Sequence, residues 1–110
     1  MERANTHRGE KAEEHLKRVA AEFLAMESNR TALITVTRAE VSKDLKRATI
    51  FITVLPEERE TQALEFARRR LADFRDYVKE KMKYRTLPFF AFEIDKGEKG
   101  RQRLDEISKK

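Results

Sequence analysis

The stretch Ala39-Glu40-Val41-Ser42-Lys43-Asp44-Leu45-Lys46-Arg47-Ala48-Thr49-Ile50-Phe51-Ile52 decides how this chain folds. Residues 32–41 before its centre and Arg47–Leu55 after it are rich in β-branched side chains and alternate in polarity. Ile34 and Val36 share one face of the first segment; Ala48, Ile50, Ile52 and Val54 share one face of the second. Period-two patterning of this kind predicts two strands, each with one face turned to a core. The connector Ser42-Lys43-Asp44-Leu45-Lys46 is short and polar enough for an antiparallel hairpin, although it lacks the Asn-Gly type of tight turn.

Upstream of the hairpin the period changes. Ala12, Leu16, Val19, Ala20, Phe23 and Leu24 recur at helical spacing, so residues 10–26 read as an amphipathic helix. Glu13 with Lys17 and Glu14 with Arg18 stand four apart on its outer face, in the favourable orientation. Residues 27–31 break the period and read as a loop. Downstream, Pro56 stops the second strand, and Glu57 and Glu58 suit the positive end of a following helix. Over 61–83, Leu64, Ala67, Leu71, Phe74, Val78 and Met82 again keep helical spacing, which predicts one long helix or two in succession. Pro88 ends that region, and Phe89–Ile94 reads as a third strand with Phe90, Phe92 and Ile94 on one face. Gly97 and Gly100 mark a loop, after which Leu104 and Ile107 suit a last helical turn. A three-stranded sheet with helices packed on one face is the economical α+β arrangement that buries all these stripes.

With 110 residues the chain suffices for one core, so 1–110 reads as a single domain with loosely packed ends at 1–9 and 97–110. Cysteine is absent, which removes disulfides, thiolate nucleophiles and Cys-based zinc sites. No segment has the apolar length of a signal region or a membrane span, and the expected setting is cytoplasmic. Of the net charge of +5, the whole surplus sits in one short segment: residues 68–85 hold 8 basic and 3 acidic side chains. Such a concentration attracts a polyanion by counterion release, whereas the plain alternative is a solvated helix face.

The order of elements, α-β-β-α-α-β, resembles the bacterial (type II) KH-like domain, and the hairpin resembles one family within it, ribosome-binding factor A. Residues 39–52 are similar to that family's Val-x-Val-Ser-x-Asp-Leu-x-x-Ala-x-Val-Tyr-Val signature, with Ser42, Asp44, Leu45 and Ala48 at its marked positions. A second stretch, running from Arg75 to Met82 and on through Arg85, Pro88, Phe90, Phe92 and Asp95, is similar in spacing to the family's basic, Arg-x-x-Pro and terminal Asp pattern. The resemblance implies a non-enzymatic factor that binds the small ribosomal subunit and its rRNA during late maturation. Members of the family interrupt the helical region with an Ala-x-Gly kink. Here the corresponding residues are Arg70-Leu71-Ala72, and without glycine nothing specially permits a left-handed backbone, so a gentle bend or a continuous helix stands open beside a kink.

The RNA-binding candidates are therefore Arg68, Arg69, Arg70, Arg75, Lys79, Lys83 and Arg85 on the helical segment, extended by Lys43, Lys46 and Arg47 near the hairpin. Ser42 and Asp44 invite a nucleophilic reading, but no histidine accompanies them, and a Ser-x-Asp turn commonly bonds its own backbone. His7 and His15 lack the spacing and partners of a metal site, so neither metal nor cofactor is expected. Phe51, Phe66, Tyr77, Tyr84 and Phe89 lie off the main apolar stripes; they are candidates for base stacking, against the commoner fate of packing under loops. A monomer is expected. The alternatives are a KH-like domain for another structured RNA and a protein-interaction module using its sheet face.

Overall fold

A computed structural model describes residues 2–27 and 32–98, with side chains from residue 11 onward. The loop at 28–31, the expected helical turn around Leu104 and Ile107, and the side chain of His7 lie outside that description. Helix α1 spans Glu2–Glu27, strand β1 Leu33–Val41 and strand β2 Arg47–Leu55; a 3-10 turn at Glu57–Arg59 leads into α2, Glu60–Arg69. Helix α3, Leu71–Lys81, and strand β3, Phe89–Ile94, complete the chain.

The sheet order is β1-β2-β3, with β1 and β2 antiparallel and β3 parallel to β2. A parallel neighbour needs a long crossover, and α2 with α3 is that crossover. Side chains alternate across the sheet as the pattern predicts. Ala48, Ile50, Ile52, Phe90 and Phe92 are buried beneath the helices, while Glu40, Phe89 and Glu93 are exposed on the other face. This is the type II KH-like arrangement, with helices on one face only. One irregularity interrupts it: Val36 faces Ile52 and Arg38 faces Phe51, so Thr37 is an extra residue bulged out of β1.

The core is centred on Phe74, which has no exposed surface. Its ring meets Phe23 at 5.3 Å, Phe90 at 5.0 Å and Phe92 at 5.3 Å, centroid to centroid, joining both helices to β3. Helices α1 and α3 run antiparallel, because Glu27 pairs with Arg70 at one end while Phe23 meets Tyr77 a turn or so further along each helix.

Two boundaries depart from the expected ones. Helix α1 begins at Glu2 rather than near residue 10, because the charged residues before Ala12 are competent helix formers that carry no apolar period to reveal them. On its outer face Lys17 approaches Glu14, at 4.0 Å, and not Glu13. The region 61–83 is two helices, divided at Arg70. That residue holds φ −96° and ψ 11°, its N–H bonds back to Ala67 at 3.1 Å, and α3 restarts where the Phe74 N–H bonds the Arg70 carbonyl at 2.9 Å. The helix thus breaks at Arg70, with Leu71 and Ala72 already in α3, while staying at negative φ, which any residue tolerates; glycine is not required.

Candidate nucleic-acid interface

The hairpin turn is closed by its own polar groups. The Ser42 N–H bonds the Arg47 carbonyl and the Leu45 N–H bonds the Ser42 carbonyl, both at 2.9 Å. The Ser42 hydroxyl donates to Asp44 at 2.6 Å and accepts the Arg47 N–H at 3.0 Å, while Asp44 also accepts the Lys46 N–H at 3.0 Å. The Ser42 hydroxyl and then the Lys46 N–H hold the Asp44 carboxyl below its ordinary pKa. A carboxylate so engaged serves the turn and not a nucleophile. Leu45 completes the turn at φ 61°, a left-handed conformation that strains a side chain with no Asn or Gly character. This rigid turn presents Lys43, Lys46 and Arg47, all exposed.

The segment after α3 is fastened to the same end of the sheet. The Phe89 N–H bonds the Lys46 carbonyl at 2.8 Å, and the Arg75 guanidinium donates to the Pro88 carbonyl, also at 2.8 Å. Pro88 is buried. Lys79 stands in the last turn of α3, and Lys83 and Arg85 in the segment that leads from it to Pro88 and so to the hairpin end. Among the described residues Lys43, Lys46, Arg47, Lys79, Lys83 and Arg85 form no ion pair, and all are exposed.

At the α2–α3 break the expected cluster changes character. Arg68 donates to the Phe92 carbonyl at 3.3 Å and pairs with Glu93 at 3.4 Å. Arg70 pairs with Glu27 and, at 3.2 Å, with Asp73. Arg75 is half-buried on Pro88, as above. Arg69 alone of this group is exposed and unpaired among the described residues. A guanidinium facing a carboxylate contributes little outward field. The single basic segment of the sequence is thus divided into a free set at the hairpin end and a largely neutralised set at the break.

The aromatic candidates separate in the same way. Tyr77 packs on Phe23 at 5.6 Å, Phe66 is half-buried, and Phe51 lies under the Arg38 guanidinium at 4.0 Å. The Tyr84 hydroxyl is buried without a partner among the described residues, and burial pushes its pKa up. Phe89 is 76 % exposed. His15 is exposed on α1, and among the described residues no three His, Asp or Glu side chains converge as metal ligands. No described helix is long and apolar enough to cross a membrane.

Three contributors escaped the sequence reading. Glu13 accepts the Val41 N–H at 2.7 Å and so docks α1 on the hairpin. Glu27 neutralises Arg70, and Arg38 bridges Glu40 and Asp95. All three are charged residues, and the partners Val41, Arg70 and Asp95 lie far off in the chain, so no local period announces these contacts.

Residues 8–108 match the family model described as ribosome-binding factor A. The chain is 36% identical over 108 residues to ribosome-binding factor A of Prochlorococcus marinus, covering 93% of this chain and 88% of that protein. It is 30% identical over 103 residues to the ribosome-binding factor A of Thioalkalivibrio sulfidiphilus, covering 91% and 80%. In structure it is similar to the crystal structure of ribosome-binding factor A from Thermus thermophilus, with a TM-score of 0.71 and 24% identity over 78% of this chain and 93% of that one. It is also similar to a homology model of the Thermus thermophilus factor fitted into a cryo-EM map of a 30S complex, with a TM-score of 0.59 and 25% identity over 72% and 86%. The hairpin signature, the fold and these matches agree: the chain belongs to the ribosome-binding factor A family.

Proposed function

We propose that this protein docks on the small ribosomal subunit in the cytoplasm, binds its rRNA and assists late maturation without catalysing a reaction. The observation that carries the mechanism is the gathering of unpaired cations from β2, α3 and two connecting segments at the hairpin end. The 30S complex of the Thermus thermophilus relative supports the choice of partner. Structured RNA offers phosphates and 2′-hydroxyls on a shape that side chains read without sequence. Six free cations on a turn, a helix end and the segment after it suit such a surface. Binding that differs in strength between two rRNA conformers shifts their populations, and no reacting group is needed for that.

The test is co-sedimentation of the tagged protein from cells on a sucrose gradient, with the bound RNA sequenced. Enrichment in small subunits, with small-subunit rRNA precursors above other RNAs, is expected. Recovery of a different structured RNA, or of protein partners with no RNA, would overturn the assignment.

A further inference from the structure

We infer that Phe89 is a stacking platform for one unpaired base of the RNA, set beside the phosphate-binding cations; this rests on the RNA-docking reading above. Among the exposed large apolar residues described, Phe89 is the one aromatic and, at 76 %, the most exposed. An isolated exposed apolar side chain on a surface is ordinary and says nothing by itself. Position makes this one informative.

Phe89 opens β3 on the sheet face that carries no helix, and its register partner in β2 is Arg47. The alternation that buries Ala48 and Phe90 sets Arg47 and Phe89 side by side on the open face. Two positions further along that face come Thr49 and Ala91, whose side chains are too short to cover a phenyl ring. The ring is therefore uncovered, and its neighbour in the register is the exposed Arg47.

The backbone beneath it is held on both sides. The Phe89 N–H bonds the Lys46 carbonyl, and the preceding Pro88 is buried with its carbonyl bonded to Arg75. A rigid aromatic presented this way loses little freedom when a base covers it. Lys46 and Arg47 lie on one side of the ring and Arg85, four residues before it, on the approach to β3; all three are exposed. Aromatic rings beside a positively charged track are how proteins hold unpaired nucleotides, since each base has a π face and each nucleotide a phosphate. An RNA base is favoured over a protein partner because the neighbours Lys46, Arg47 and Arg85 are exposed cations, while Leu45 in the turn is the nearby exposed apolar side chain.

Wild type, Phe89→Ala and Phe89→Trp are titrated against purified small subunits and against protein-free small-subunit rRNA over a range of salt, with unfolding midpoints measured in parallel. Phe89→Ala is expected to weaken both interactions by about 5- to 150-fold, the range for removal of one stacked base, with the salt slope unchanged. Phe89→Trp should restore affinity. Because the chain has no tryptophan, that variant's fluorescence in the titration with protein-free rRNA reports the site alone and should be quenched on binding. If wild type binds and Phe89→Ala binds equally well, the stacking inference falls while the docking reading stands. Weakened binding to subunits with unchanged binding to naked rRNA means that the ring meets a ribosomal protein, and overturns it as well. A reduced salt slope in Phe89→Ala points to a disturbed cation site and also counts against stacking. Failure of wild type to bind either target removes the docking reading, and the inference with it.

Discussion

Asp95 shows how much of this fold hangs on single side chains. It is only 4 % exposed, yet it accepts the Thr37 hydroxyl at 2.6 Å, the Glu98 N–H at 3.1 Å and the Arg38 Nε–H at 3.3 Å. Its own N–H bonds the Ile52 carbonyl at 2.8 Å, so the residue that follows β3 reaches across β2 to the bulge in β1. Burial pushes its pKa up, but the bonds from Thr37 and Glu98 and the charge of Arg38 outweigh burial and leave it below the ordinary carboxylate value. A folded-state pKa below the unfolded one means that the ionised carboxylate stabilises above the unfolded value and that this contribution is lost as pH falls through the folded value. Asp95→Asn should therefore cost about 1–3 kcal/mol at neutral pH and flatten the acid limb of the stability curve, read by urea unfolding across pH. An unaltered acid limb would show that the carboxylate is not the group responsible. The same residue marks a limit of sequence reading. Asp95 stood out through its place in a family pattern, whereas its partners Thr37 and Arg38 depend on a one-residue bulge that strand alternation does not reveal. The Ser42–Asp44 turn was legible, because both partners lie within five residues of each other and of the backbone groups they bind.

Among the elements, β2 and β3 have the bounds that Arg47, Pro56, Pro88 and Phe89 predict, since proline and a change of period punctuate both. The division of 61–83 into α2 and α3 was open in the sequence because the apolar period runs through it unbroken. What decides it is tertiary: Arg70 sits between Glu27 at the end of α1 and Asp73 in the first turn of α3, and its Nε is buried without a partner among the described residues. Paired on both sides, Arg70 ties the end of α1 to the first turn of α3. Arg70→Met should destabilise the fold by about 1–2 kcal/mol, less than a fully buried pair would because the side chain is still 40% exposed. Its effect on the salt dependence of RNA binding should be small. A chemical-denaturation midpoint equal to wild type, with a lowered salt slope, would assign Arg70 to the RNA instead.

For the whole molecule, one apolar layer between the described three-stranded sheet and helices α1, α2 and α3 must stabilise a chain in which 41% of residues are charged. Phe74 touches three other phenyl rings at the centre of that layer, and Phe74→Ala should cost about 3–5 kcal/mol, enough to unfold a marginal domain of this size. A destabilisation under about 1 kcal/mol by calorimetry or urea titration would mean that the core is centred elsewhere. Net charge also has to be read over the folded surface. Residues 68–85 hold the sequence's surplus, but Glu93 faces Arg68, and Glu27 and Asp73 face Arg70, whereas Lys79, Lys83 and Arg85 form no ion pair among the described residues. Linear counting sees the surplus; only the fold shows which part is available. The direct measurement is the salt dependence of small-subunit binding for two neutralised variants, one carrying Lys46→Gln, Arg47→Gln, Lys83→Gln and Arg85→Gln, the other Arg68→Gln and Arg70→Gln. The slope of log affinity against log salt should fall by roughly 0.7–0.9 for each phosphate that the first variant leaves unneutralised, and by less than this single-phosphate step in the second. An unchanged slope in the first variant, or a larger fall in the second, would contradict the division of the basic segment into a free and a neutralised set.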